Sequence, residues 1–301
     1  MMSLLEGSWV TDGGLETDLI FNHGIDLPEF ASFPLLHDSA GSTLLSRYYA
    51  EYVAIAVAAG TGVLLETATW RANSSWGGIL GYDAAALDRT NRAAVALVRA
   101  QLDAAGAPPN RVSGCVGPLG DGYLAGGVDA DQAADYHAPQ VRSLAEGGAD
   151  LVHAMTMTGP AEAMGVVRAA RAINVPVAVS FTVETNGCLP DGSTLADAIT
   201  AMETAAPADY YGLNCAHPTH VQAGLDGGAW QERVTFFRPN ASTLSHAELD
   251  VMEELDAGDM SYLVSCTRQL REQLPAVTVL GGCCGTDSGH VAALWGVGSA
   301  R

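Results

Sequence analysis

Short runs of aliphatic and β-branched residues alternate along the whole chain with longer stretches rich in alanine and leucine. Runs such as GVLLE, VAVSF and VTVL are nearly continuous in apolar character rather than alternating, the pattern of strands buried on both faces. They predict strands at 8–11, 62–69, 111–116, 150–156, 175–182, 210–214, 234–237 and 277–280. Between them, 42–59, 84–105, 130–146 and 160–172 carry apolar residues at helical spacing. The stretches 194–205, 218–225, the acidic 245–274 and 288–295 continue that series. Eight strands alternating with helices predict an α/β fold with a parallel sheet. Eight such units in 301 residues predict one domain, 1–301, folded as a parallel eight-stranded (β/α)₈ TIM barrel. An open doubly wound sheet is the structural alternative. TDGGLET after the first strand lacks the GxGxxG spacing that such a sheet uses for dinucleotides.

A barrel of this kind carries its chemistry at the C-terminal ends of its strands. The residues at those ends are Asp12-Gly13-Gly14, Glu66-Thr67, Gly117-Pro118, Thr156-Met157, Thr182, Asn214-Cys215, Arg238-Pro239-Asn240 and Cys283-Cys284. Three of the six cysteines therefore share one rim. Adjacent side chains on a regular strand point to opposite faces. Gly281, Gly282 and Gly285 relax that constraint around the Cys283-Cys284 pair. Three converging thiols suit zinc, and three protein ligands leave its fourth position open, the catalytic pattern. Three thiolates make the ion electron-rich and poorly suited to polarising a carbonyl. It can still hold a substrate thiol deprotonated. His217 and His220 in NCAHPTH are rival ligands, although Pro218 suits the start of a helix with His217 at its cap. Cys115 reads as a core residue, since buried cysteine often behaves as a small hydrophobe. Cys188 falls in a loop and Cys266 in a helix.

Composition narrows the partners. The formal charge is 14 − 34 = −20, which argues against nucleic acid or an anionic membrane surface, both of which need a basic footprint. No apolar run approaches the roughly 18 residues of a membrane helix. The start, MMSLLEGSWVTDGGLETDL, has neither a basic region nor a small-residue cleavage site. The expected location is the cytoplasm, where thiols stay reduced. The acidic stretch 248–259 reads as a solvated helical face or, in a homo-oligomer, as a subunit contact.

TDGGLETDL, ETATW, SGCVGPLGDGYLAGG, GADLVHAMTMTGPAEA, VPVAVSFTVETNG, GLNCAHPTHV and LGGCCGTDSGHV together resemble the zinc-dependent homocysteine S-methyltransferases over nearly the whole chain. The resemblance implies a (β/α)₈ barrel that binds Zn²⁺ through Cys215, Cys283 and Cys284. It implies methyl transfer from a sulfonium donor resembling S-methylmethionine, or from a quaternary ammonium, to a thiol acceptor, homocysteine, giving methionine. Other donors used in the family are S-adenosylmethionine and a methyl-cobalamin partner domain, and the 301 residues hold no cobalamin or folate module. No catalytic residue is implied beyond the activated substrate thiolate. Asp12 and Gly13 match the motif lining the homocysteine site, Ser180 and Thr182 a pocket-lining segment, and Asn214 a support for the metal loop. Two positions depart from the family. Met155-Thr156 stands where a glutamate-threonine pair is usual, and Trp70 where an aromatic hydroxyl is frequent. Either another acid, Glu66 or Glu184, takes the amino group, or the acceptor is a different thiol or selenol. Trp70 or Trp76 is the expected platform for a donor cation. A zinc- and thiol-binding barrel without turnover, and a zinc hydrolase using the HPTH histidines, are the competing readings.

Overall fold

A computed structural model describes residues 4–104, 106 and 108–298. Its eight parallel strands are β1 (Trp9–Thr11), β2 (Gly62–Glu66), β3 (Asn110–Val116), β4 (Leu151–Met157), β5 (Val177–Phe181), β6 (Tyr210–Asn214), β7 (Val234–Arg238) and β8 (Val279–Leu280). They follow one another around a closed barrel. Closure is made by Trp9 opposite Val279 and Val10 opposite Leu280, which excludes the open sheet.

The helices are α1 (Leu15–Thr17), α2 (Ser39–Ala59), α3 (Ser74–Ile79), α4 (Ala84–Ala104), α5 (Ala130–Glu146), α6 (Pro160–Ala172), α7 (Leu195–Ala205), α8 (Pro218–Ala223), α9 (His246–Leu249), α10 (Met260–Gln273) and α11 (Ser288–Trp295). Position 105 of the expected 84–105 helix lies outside the described residues, as do residues 1–3 of the N-terminal stretch. Among the described residues no helix is long and apolar enough to cross a membrane.

Two expectations need correcting. Strand β2 ends at Glu66 rather than at 69, because Thr67 and Thr69 turn inward, hydroxyl to hydroxyl at 2.6 Å, and Thr69 caps the Cys115 carbonyl. The acidic 245–274 segment is not one helix. A capping box of Ser245 and Glu248 starts α9, which stops at Leu249, and α10 begins only after Asp259 caps Tyr262. The intervening 250–259 includes Gly258 at φ 60°, and its acids sit on an irregular strap, not on a helical face.

The barrel interior is layered by strand periodicity, since every second side chain points inward. Trp9, Leu64, Leu151, Ala178, Phe236 and Val279 pack as an apolar floor. Two residues further along each of four strands stand Glu66, His153, Ser180 and Arg238, all buried. A polar layer thus rests on the floor, directly below the strand ends.

Candidate metal and acceptor site

The metal-ligating candidates are brought together by the ends of β6 and β8. Cys215 leaves β6 with a left-handed backbone (φ 57°), a conformation costly for a residue with a Cβ. Its carbonyl is held by three donors: Asn240 Nδ2 and Thr182 Oγ1 at 3.2 Å each, and His246 Nε2 at 2.6 Å. After β8 the chain turns back on itself. A Cβ on Gly282 would lie 2.0 Å from Thr286 Oγ1, and Gly285 takes φ 79°. The Cys283 amide donates to Pro239 O at 2.8 Å, and the Cys284 carbonyl accepts from Ala241.

The three sulfurs lie within 4.8 Å of one another, with Cys215 and Cys284 Sγ 3.5 Å apart. Tetrahedral zinc–sulfur bonds of about 2.3 Å require sulfurs roughly 3.8 Å apart, so the trio fits such an ion. Hydrogen bonds from Cys215 and Cys284 hold the Cys283 thiol well below its usual range. Asn214 donates to Thr156 Oγ1 at 2.8 Å and reaches Cys283 Sγ at 3.8 Å, while its Oδ1 accepts the Thr156 amide. Thr156, itself left-handed at φ 62°, is thereby clamped beside the metal ligands. The rival ligands stand elsewhere. His217 caps α8, burial and nearby His220 push its pKa down to about 4, and His220 Nε2 lies 3.0 Å from Thr243 O.

Two cavities meet at Cys284. A small one of about 70 Å³ is lined by all three cysteines with Asp12, Gly13, Glu66, Met155 and Thr156. A larger one of about 290 Å³ lies above it, walled by Phe21, Asp121, Asp250, Glu254 and Asp256. Phe30, Trp70, Tyr123 and Cys284 border both. Tyr123 stacks on His246 with centroids 4.1 Å apart, and its hydroxyl lies 3.3 Å from Cys215 Sγ. His246 is itself held by Glu184 at 2.9 Å.

The remaining predicted residues divide. Asp12 lines the small cavity but already pairs with Arg238 Nη1 at 3.0 Å. Trp70 forms the wall between the cavities, its indole nitrogen 3.3 Å from Met155 O. Ser180 lies below the cavity, its hydroxyl 2.6 Å from His153 Nε2, and Thr182 supports Cys215. Neither of these two lines either cavity. Glu184 pairs with His246 and lines neither cavity, and the Arg71 guanidinium covers Trp76 at 3.8 Å. Cys115, expected only as core, also borders the small cavity.

Three residues at the site lacked a sequence signal strong enough to single them out, Tyr123, His153 and His246, while Arg238 was read only as a strand-end residue. Of these three His153 was the most legible, as a polar residue inside the apolar run LVHAM. Burial raises the Asp12 carboxyl from 3.8 to about 6, with Arg238 opposing and Glu66 adding to the rise. A folded-state pKa above the unfolded one means the folded protein binds the extra proton. Through this group, stability therefore falls as pH rises from about 4 to about 6. Urea unfolding at pH 4, 5, 6 and 7 is expected to show that slope, and Asp12→Asn to flatten it.

The homocysteine S-methyltransferase family model matches residues 9–296. Homocysteine S-methyltransferase YbgG of Bacillus subtilis (strain 168) is 26% identical over 128 residues, which span 40% of this chain and 40% of that relative. The metallated form of the homocysteine methyltransferase MmuM from Escherichia coli superposes with a TM-score of 0.76 at 21% identity, covering 97% of this chain and 96% of that one. Its apo form gives 0.67 at 20% identity, covering 96% and 95%. At such identities the structural likeness speaks for the barrel alone. With the family match running from β1 to the end of α11, the chain belongs to the homocysteine S-methyltransferase family.

Proposed function

We propose that the protein transfers a methyl group from a sulfonium or quaternary-ammonium donor to a thiol, homocysteine, giving methionine. The observation that carries this reading is the three-thiol cluster lining the small cavity, with Cys284 also bordering the larger one. Cys215, Cys283 and Cys284 would hold Zn²⁺, which when bound keeps an acceptor thiol deprotonated at neutral pH. The cysteines' surroundings do the positioning. Asn214 and His246 fix the ligand loops, and Trp70 and Phe30 narrow the passage between the cavities. The upper cavity gathers four carboxylates, Asp121, Asp250, Glu254 and Asp256, against the single cation Arg71, so it favours a positively charged donor. Trp70 borders that cavity, with the Arg71 guanidinium 5.2 Å from its ring centroid.

In the transfer the donor's bond to its methyl breaks, and the bonding pair stays on the departing sulfur or nitrogen, which becomes neutral. A thiolate lone pair of the acceptor forms the new sulfur–carbon bond. No proton has to reach the leaving group. Alignment of the two substrates is the main contribution of the chain. The donor and acceptor are small molecules, and the cytoplasm is the proposed location.

The reading is tested by metal analysis and product detection on protein purified under reducing conditions. About one zinc per chain, with methionine formed from homocysteine and S-methylmethionine or betaine over many turnovers, is expected. Zinc without turnover with any methyl donor would leave only a binding barrel. The His246 contact makes a separate prediction. His246→Ala removes the shortest bond to the Cys215 carbonyl, and zinc affinity measured by chelator competition is expected to fall about 10–100-fold.

A further inference from the structure

The floor of the small cavity holds an uncompensated charge. Asp12 and Glu66 contribute two carboxylates, and Arg238 is the one guanidinium facing them, at 3.0 and 3.8 Å. Arg238 Nε donates to Gly282 O and Nη2 to Gly13 O, while Nη1 pairs with Asp12 by charge without hydrogen-bond geometry. His153 adds no required charge. A neutral imidazole that donates from Nδ1 to Glu66 Oε1 at 2.7 Å and accepts at Nε2 from Ser180 satisfies both contacts. That leaves Glu66 Oε2 with no partner, although the residue is 4% exposed and lines the cavity beside the three thiols. A buried carboxylate oxygen without a donor is costly unless a ligand supplies one. Asp12 pairs with Arg238 and Glu16 Oε1 accepts from Ser32 Oγ at 2.7 Å; among the described residues, Glu66 Oε2 is the buried carboxylate oxygen of this cavity without a partner.

We propose that Glu66 is the specificity-determining residue for the acceptor, taking the ammonium of an amino-acid thiol through Oε2 while His153 holds Oε1. This rests on the thiol-acceptor reading above and adds which chemical group the site selects and by which residue. Met155 on the same cavity wall offers no charge, so the ammonium is read from β2. His153 and Ser180 act as positioning residues, locking the carboxylate from below.

The test compares homocysteine with 4-sulfanylbutanoate, the same thiol acid without the amine, by titration calorimetry on zinc-loaded protein. Native protein is expected to bind homocysteine about 10–100-fold more tightly, the range of one charge-assisted hydrogen bond. In Glu66→Gln that ratio is expected to collapse to about 1, while Glu16→Gln keeps it. Persistence of the preference in Glu66→Gln, its loss in Glu16→Gln alone, or its absence in the native protein overturns the assignment. Equal weakening of both thiols in Glu66→Gln at unchanged zinc content also overturns it, since a purely structural role would do that. If neither thiol binds the native zinc-loaded protein, the thiol-acceptor reading itself falls and takes this one with it. Should Glu66→Gln fail to fold, Glu66→Asp keeps the charge at shorter reach, and a ratio between 1 and the native value is expected; an unchanged ratio overturns the proposal.

Discussion

Cys215→Ser is expected to abolish both stoichiometric zinc and methyl transfer. The thiolate is the form that binds, and a serine hydroxyl is not ionised near neutral pH, so the trio loses a ligand. Changing a residue that only supports a ligand costs about 10–100-fold in metal affinity, and removing the ligand itself must exceed that. The loss is expected to be selective. Cys215 is a rim residue whose backbone, held by Thr182, Asn240 and His246, can stay in place with a serine side chain. Zinc content, methionine formation and far-ultraviolet circular dichroism on the same preparation separate the outcomes. Full activity in a zinc-free variant would remove the metal from the mechanism. Loss of the circular dichroism spectrum would instead make the thiols part of the fold.

Arg238→Leu is expected to be the most destabilising single change among the site residues. The guanidinium is 4% exposed and stands between Asp12 and Glu66. It also donates to Gly13 O and Gly282 O, tying the β1 and β8 loops to β7. Removing one partner of a buried ion pair typically costs about 3–5 kcal/mol, because the remaining charge has neither water nor counter-ion. The loop carrying Cys283 loses its anchor in the same step, so zinc affinity should drop with stability. Arg238→Lys retains the charge but not the planar fork that donates to two carbonyls while facing Asp12, and a smaller loss is expected. Unfolding free energies in urea check both variants. Adding Asp12→Asn to Arg238→Leu should recover part of the loss, since it removes one orphaned carboxylate. A cost below about 1 kcal/mol for Arg238→Leu would mean water already reaches this layer.

The strand–helix alternation, and with it the eight-stranded barrel, was legible in the sequence because buried parallel strands and amphipathic helices write different local periodicities. The metal trio was legible for a related reason. Strand ends share one rim in any such barrel, so Asn214-Cys215 and Cys283-Cys284 converge whatever the details of packing. Segment 245–274 misled because its composition resembles a helix, whereas the caps at Ser245 and Asp259 cut it in two. What the tertiary structure alone decided was the partnership among side chains from distant strands. Asp12, Glu66, His153, Ser180 and Arg238 come from β2, β4, β5, β7 and the loop after β1, and only barrel closure and register put them in contact. Ser180 and Thr182 likewise read as cavity lining from position along β5, yet one lies below the cavity and the other serves Cys215. Tyr123 and His246 meet through two loops with no shared sequence pattern. Periodicity records which face a residue takes on its own element. Which groups it then meets depends on contacts between elements far apart in the chain, and those form only when the barrel closes.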